Sequence, residues 1–101
     1  MRESVFAVDD SPLNLAIVEK GLKDHFDVMC FNSGEKLLEA LKVVIPSMIL
    51  LDIEMPGMDG FQVLEILKQN ALYANIPVLM LSGLTDEKIE IKGFELGVRF
   101  C

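Results

Sequence analysis

Residues 48–60 read MILLDIEMPGMDG, and this stretch decides both the fold and where a site is expected. An apolar run, residues 48–51, ends at Asp52 and is followed by the turn-forming residues Pro56 and Gly57. A short, nearly continuous apolar run bounded by turn residues is typical of a strand that is buried on both faces of a parallel sheet. The stretch therefore predicts a buried strand with a carboxylate at its carboxyl end.

Short apolar runs alternate with helix-like segments along the rest of the chain. Strands are predicted at residues 5–8, 26–31, 48–51 and 78–81, with the start of a fifth at 98–101. Helices are predicted to begin after Ser11, after Ser33, near Met58 and after Thr85. This alternation predicts an α/β fold with parallel strands, right-handed crossovers and helices on both faces. The second strand is less uniformly apolar than the others, which favours a place nearer an edge of the sheet.

Three carboxylates follow two of the predicted strands. Asp9 and Asp10 come directly after the first apolar run, and Asp52 ends the third. If these strands are neighbours, the three side chains meet at the carboxyl edge of the sheet, where α/β proteins place their sites. Carboxylates at such short range repel one another unless a cation or a proton joins them. The pattern predicts a site for Mg²⁺, a cation that prefers oxygen ligands.

Composition limits the other classes of function. The 101 residues are enough for one domain, residues 1–101, and the net charge of −7 with no basic stripe argues against a direct nucleic-acid partner. Cys30 and Cys101 lie far apart, so neither a zinc site nor a disulfide framework is indicated. No apolar run approaches the length of a membrane span. These features lead us to expect a cytoplasmic domain.

The chain resembles the response regulator receiver domains of two-component signalling. The resemblance is carried by VDDS at residues 8–11, LDIEMPGMDG at 51–60 and LSG at 81–83. It implies a flavodoxin-like, doubly wound parallel sheet with strand order 2-1-3-4-5. It also implies that Asp52 accepts a phosphoryl group from a histidine kinase or a phosphotransfer protein with the help of Mg²⁺, a role that is not that of an ordinary enzyme.

The same resemblance implies roles for individual residues. Asp10 would be a direct ligand of Mg²⁺, Asp9 a ligand mostly through water, and Asp52 and the main-chain carbonyl of Glu54 further ligands. Ser82 would donate its hydroxyl to a phosphoryl oxygen in the active state. Phe100 lies near the position of the aromatic switch residue of the family.

The sequence departs from the receiver pattern at its carboxyl end. Receiver domains normally have a Lys followed by Pro at the end of strand five, whereas the last lysines here, Lys88 and Lys92, fall on the predicted fourth helix. Strand five is incomplete and helix five is missing, so the chain resembles a truncated receiver domain. We expect weakened phosphorylation, apolar surface left uncovered on helix one, and a possible homodimer through that face.

Two other functions compete with the signalling role. A phosphatase of the haloacid dehalogenase class also uses a strand-end Asp and Mg²⁺, and Glu54 has the spacing of its acid/base residue. However, Met55 and Pro56 follow where that class expects a different pattern, and the Asp9–Asp10 pair comes in the wrong chain order. The third hypothesis is a receiver-like interaction or dimerisation module that is not phosphorylated because the strand-five Lys is absent.

Overall fold

A computed structural model describes residues 2–81 and 99–100 of the chain. The strands in this part are β1 (Ser4–Val8), β2 (Asp27–Phe31), β3 (Met48–Asp52), β4 (Val78–Leu81) and β5 (Arg99–Phe100). The helices in this part are α1 (Pro12–Leu22), α2 (Gly34–Leu41) and α3 (Gly60–Gln69). The predicted order of elements is confirmed as far as the described residues extend.

The strands form one parallel sheet in the order β2-β1-β3-β4-β5, as the resemblance implied. β2 is an edge strand, which agrees with its mixed composition. In the register between β1 and β3, Val8 lies opposite Leu51. The next residue along each chain segment, Asp9 after β1 and Asp52 at the end of β3, is therefore brought to one edge of the sheet.

Alternating residues of the strands build two separate cores. Phe6 and Val8 of β1 belong to a large core that includes the buried faces of α2 and α3, whereas Val5 and Ala7 belong to a smaller one that packs against α1. Because successive side chains of a strand point to opposite faces, the two cores lie on opposite sides of the sheet. This arrangement is the doubly wound architecture that the strand and helix pattern predicted.

Side chains that start the helices explain their boundaries. The hydroxyls of Ser11 and Ser33 accept hydrogen bonds from main-chain N–H groups in the first turns of α1 and α2, as predicted. Helix α3 begins at Gly60, close to the expected position near Met58, and Asp59 is its N-cap. The Asp59 side chain accepts from the Gln62 N–H at 2.9 Å, and the Gln62 side chain accepts from the Asp59 N–H at 2.9 Å. This reciprocal capping box fixes the start of α3.

Two glycines let the loop after β3 turn back into α3. Gly57 has a φ of 80°, a left-handed conformation that glycine adopts without steric cost. At Gly60 a Cβ atom would overlap the main-chain carbonyl oxygen of Asp52, and the Gly60 N–H donates to the Ile53 carbonyl at 2.8 Å. The absence of a side chain at Gly60 therefore allows the first turn of α3 to lie directly against the end of β3.

Helix α1 is covered less completely than α2 and α3. None of its residues is fully buried, and its large apolar side chains Leu13 and Ile17 are 70% and 61% exposed. In contrast, α3 buries Phe61, Leu64 and Leu67, as predicted. The expectation that α1 carries more apolar surface than the sheet covers is confirmed.

The carboxyl-terminal part of the sheet is described only in its backbone pairing. Leu79 and Met80 of β4 pair with Arg99 and Phe100 of β5. The predicted fourth helix after Thr85 lies outside the described residues. Within residues 2–81 and 99–100, no helix is long and apolar enough to cross a membrane.

Candidate functional site

The three carboxylates expected to meet do so at the carboxyl edge of the sheet. One carboxylate oxygen from each of Asp9, Asp10 and Asp52 can be chosen so that all three atoms lie within 4.8 Å of one another. The parallel register of β1 and β3 causes this proximity, because it aligns the ends of the two strands. The three oxygens are close enough to bind a single cation.

Asp9 is the most constrained of the three residues. It is 5% exposed, and it is the only polar or charged residue buried within the described part of the chain. Its Oδ1 accepts the main-chain N–H of Ser11 at 2.9 Å, and its Oδ2 accepts a hydrogen bond from Asn14 Nδ2 at 3.2 Å. The Asp9 N–H also donates to the Phe31 carbonyl at 3.1 Å, so both the main chain and the side chain are held.

Asp10 has the opposite environment, since it is exposed to solvent. It lines an open cavity of about 590 Å³ beside the loop that connects β3 to α3. The other residues that line this cavity are Ile53, Glu54, Met55, Pro56, Asp59 and Phe61. An incoming group can therefore reach the carboxylate cluster from the side of Asp10.

Asp52 is the group whose protonation the site perturbs. Partial burial, followed by the negative charge of Asp9, raises the pKa of Asp52 from 3.8 to about 6. The Asp10 charge and a hydrogen bond with the Asp9 side chain act in the same direction, whereas a hydrogen bond from the Glu54 main chain lowers this pKa. The negative charge on Asp52 is thus held in an environment that opposes it.

This perturbation predicts a pH dependence of stability. The pKa of Asp52 is higher in the folded state than in the unfolded state, so the folded state holds this proton more tightly. Raising the pH removes the proton and therefore lowers the stability of the folded state. In Mg²⁺-free buffer, its contribution to the free energy of unfolding should decline as the pH rises from about 4 to above about 6. Asp52→Asn should therefore gain stability relative to the unchanged chain as the pH rises. Urea unfolding of both proteins across this range checks the effect, and parallel pH profiles would contradict it.

The donor set of the cluster fits a hard divalent cation. All of the candidate ligand atoms are oxygens, which Mg²⁺ prefers over nitrogen or sulfur. Among residues 2–81, the one ion pair joins Lys42 to Glu39, so no Lys or Arg of this part is paired with the cluster. A divalent cation would relieve the mutual repulsion that the described side chains leave uncompensated.

The remaining predicted site residues have different positions. The main chain of Glu54 forms a hydrogen bond with the Asp52 carboxylate. The role of the Glu54 carbonyl as a metal ligand stays a prediction. Ser82 lies outside the described residues. Phe100 pairs with Met80 through the backbone of β5, and its role as a switch residue also stays a prediction.

Comparison with protein families shows which family the chain belongs to. The model of the response regulator receiver domain matches residues 5–101 of the chain. The chain belongs to this family. Receiver domains receive phosphoryl groups from histidine kinases and bind Mg²⁺ at an acidic pocket, and they are generally not enzymes. Membership of the receiver family argues against the hypothesis that the chain is a phosphatase of the haloacid dehalogenase class.

Individual relatives agree with the family match. A probable cyclic di-GMP phosphodiesterase from Vibrio cholerae is 38% identical over 94 residues, which cover 93% of this chain and 21% of that protein. A receiver-domain structure from Methanoculleus marisnigri is 33% identical with a TM-score of 0.87, covering 98% of this chain and 82% of that one. The Mn²⁺-bound form of the response regulator Rcp1 is 28% identical with a TM-score of 0.88, covering 97% and 78%.

The curated relatives are longer than this receiver domain. The chain spans 21% of the phosphodiesterase relative and 42% of a DNA-binding response regulator, MtrA, from Mycolicibacterium smegmatis. The activities in the names of those proteins belong to those proteins. They do not by themselves define the output of this chain.

Sequence reasoning did not single out Asn14. Its side chain reaches Asp9 because it lies in the first turn of α1, directly after the pair of acidic residues. The sequence does contain a feature that could have indicated this contact. Asn14 is an amide residue in the first turn of a helix whose N-cap, Ser11, is predicted from the sequence. A polar residue at that position is close to the preceding strand end whenever the helix starts immediately after it.

Proposed function

We propose that this receiver domain accepts a phosphoryl group on Asp52 from the phosphohistidine of a histidine kinase or phosphotransfer protein. The observation that carries the proposal is the position of Asp52 at the end of β3, with its carboxylate in one cluster with Asp9 and Asp10. A nucleophile with two further carboxylates beside it matches the motif on which the resemblance to the family rests. Transfer of this kind depends mainly on positioning and on neutralising charge.

The chemical step uses a carboxylate oxygen of Asp52 as the nucleophile. This oxygen attacks the phosphorus in line, an O–P bond forms, and the P–N bond to the donor histidine breaks. The imidazole nitrogen keeps the electron pair of that bond and takes up a proton. The product is an acyl phosphate on Asp52 and a neutral histidine on the donor.

Mg²⁺ would be held by the carboxylates of Asp10 and Asp52, by Asp9 mostly through water, and by the Glu54 carbonyl. When bound, it neutralises negative charge on the phosphoryl oxygens as they approach the acidic cluster. The Mn²⁺-bound form of Rcp1, a relative at 28% identity, supports a divalent cation in a protein of this fold. Ser82 is proposed to donate its hydroxyl to a phosphoryl oxygen after transfer.

The loop after β3 would keep the acceptor in place during this step. The Gly60 N–H donates to the Ile53 carbonyl at 2.8 Å, and the Ile53 N–H donates to the Leu81 carbonyl at 3.3 Å. These bonds tie the residue after Asp52 to both α3 and β4. The nucleophile therefore projects from a fixed strand end and does not depend on a long free loop for its position.

Labelling with a small phosphodonor tests the proposal. We expect acetyl phosphate to add one phosphoryl group to the chain in the presence of Mg²⁺ and to add almost none in the presence of a chelator. Intact-mass measurement at several times gives the rate and the yield. Labelling that is equally fast with the chelator would contradict the role of the metal, and no labelling of the folded chain would contradict the role as acceptor.

A second candidate function is a receiver-like module that associates without phosphorylation. The exposure of Leu13 and Ile17 on α1 favours it, because adjacent large apolar side chains at 70% and 61% exposure suit an interface. We expect concentration-dependent self-association that a double Leu13→Ser, Ile17→Ser variant reduces. Sedimentation at several concentrations measures it, and a monomer at every concentration would argue against this candidate.

We also propose a cytoplasmic location, because histidine kinases form phosphohistidine with ATP, which is found in that compartment. The net charge of −7 supports the further proposal that this domain does not contact nucleic acid directly. The proposed partner is a protein, because the phosphoryl donor is a phosphohistidine.

A further inference from the structure

We propose that Asn14 is a positioning residue for the metal site, and that its side chain holds the Asp9 carboxylate in the orientation that favours binding of a divalent cation. This inference rests on the proposed function of the carboxylate cluster. Asn14 Nδ2 donates to Asp9 Oδ2 at 3.2 Å, while the Ser11 N–H donates to Asp9 Oδ1 at 2.9 Å. Each oxygen of Asp9 is therefore held by a different donor.

The pair of donors matters because a single hydrogen bond would leave the carboxylate free to rotate. With one N–H on each oxygen, rotation about the bond to the carboxylate would break both interactions. A carboxylate oxygen can accept more than one hydrogen bond, so each Asp9 oxygen still has capacity for a cation or its bound water. Asn14 and Ser11 thus fix the orientation of Asp9 without exhausting its oxygens.

The side chain of Asn14 is suited to this role by its charge. A neutral amide donates a hydrogen bond to Asp9 without bringing a positive charge that would compete with the cation. A carboxylate at this position would instead add a fourth negative charge and remove the donor. Asn14 is also held by its own main chain, since its N–H donates to the Ser11 hydroxyl at 3.3 Å at the start of α1.

Asn14 could instead matter only for the stability of α1, and the choice of variants separates these roles. Asn14→Leu keeps a side chain of similar size and a good helix former, but removes the donor. Asn14→Gln keeps the amide on a longer side chain and should restore part of the affinity. Ser11→Ala loosens the helix start while retaining the Asn14 amide and the Ser11 N–H. Asn70→Leu is a matched control, because it makes the same replacement of an amide side chain at the carboxyl end of α3, where Asn70 Oδ1 accepts the Leu72 N–H.

The experiment is a titration with MgCl₂ alone, in which NMR monitors the amide chemical shifts of residues near the cluster. We expect Asn14→Leu to bind Mg²⁺ about tenfold more weakly than the unchanged chain, the lower end of the range for residues that orient metal ligands. Asn70→Leu should bind as the unchanged chain does, and Ser11→Ala should lose clearly less affinity than Asn14→Leu. The ¹³C shift of the Asp9 carboxyl carbon should also change in Asn14→Leu before any metal is added.

Each outcome decides the inference. If the unchanged chain binds Mg²⁺ and Asn14→Leu binds it equally well, the inference is overturned while the proposed function stands. An equal loss in Ser11→Ala and Asn14→Leu would also overturn it, since the effect would then come from the start of α1. If the unchanged chain itself does not bind Mg²⁺, the metal part of the proposed function and this inference both fail.

Discussion

Replacing Asp52 with Asn should abolish phosphoryl labelling of the chain. The variant keeps the shape of the side chain but replaces the nucleophilic carboxylate with an amide, so the acyl phosphate cannot form. The expected result is a complete loss of the added phosphoryl mass after treatment with acetyl phosphate and Mg²⁺. Intact-mass measurement of both proteins in parallel gives the comparison.

Asp24→Asn provides the matched control for this substitution. It makes the same change from carboxylate to amide at an exposed residue that precedes β2 and is not part of the carboxylate cluster. We expect this variant to remain labelled. A phosphoryl adduct that persists in Asp52→Asn would move the acceptor to another residue and would contradict the assignment.

The second large effect concerns the core beneath the site. Phe6 is fully buried in β1, and its ring packs edge to face against Phe31 with centroids 5.1 Å apart. Phe6→Ala should lower the free energy of unfolding by about 3–5 kcal/mol, because it removes the apolar contacts and leaves a cavity. Small domains have only about 5–15 kcal/mol of net stability, so a loss of this size removes a large share of it.

Urea unfolding followed by circular dichroism measures this change. Leu72→Ala is the matched control, since Leu72 is a large apolar residue that is 75% exposed. A surface substitution of this kind should change the free energy of unfolding by less than about 0.5 kcal/mol. A Phe6→Ala protein as stable as Leu72→Ala would contradict the assignment of Phe6 to the main core.

The strands of the sheet could be predicted because their signal is local. Apolar runs of four residues in β1, β3 and β4 favour burial on both faces, and their alternation with helix-like segments favours a parallel sheet covered by helices. The meeting of Asp9 and Asp52 also follows once β1 and β3 are neighbours, since parallel strands end at the same edge. That adjacency came from the resemblance to the receiver family, because periodicity alone does not set the order of strands.

Other features depend on contacts that are distant in sequence or on small geometric differences. Helix α3 begins at Gly60, close to the predicted start near Met58, and the reciprocal bonds of Asp59 and Gln62 set its first residue. The need for a glycine at position 60 arises from its contact with the end of β3, which the strand and helix pattern does not reveal. The hydrogen bond from Asn14 to Asp9 depends on the exact angle at which α1 leaves the sheet.

The apolar pattern of α1 could be interpreted only in part. Leu15, Val18 and Leu22 pack against the smaller core, whereas Leu13 and Ile17 remain exposed on the same helix. The sequence shows that the apolar arc is wide, but hydrophobicity does not distinguish residues that contact the sheet from those that are free for another partner.

The claim at the centre of this account is that Asp52 becomes an acyl phosphate in a Mg²⁺-dependent reaction. Borohydride reduction of the labelled chain tests it most directly, because it converts an aspartyl phosphate to homoserine, which peptide mass spectrometry locates. We predict homoserine at position 52 alone, after treatment with acetyl phosphate and Mg²⁺, and none when a chelator replaces the metal. Homoserine at another aspartate, or its absence at position 52 in a chain that has gained a phosphoryl group, would contradict the account.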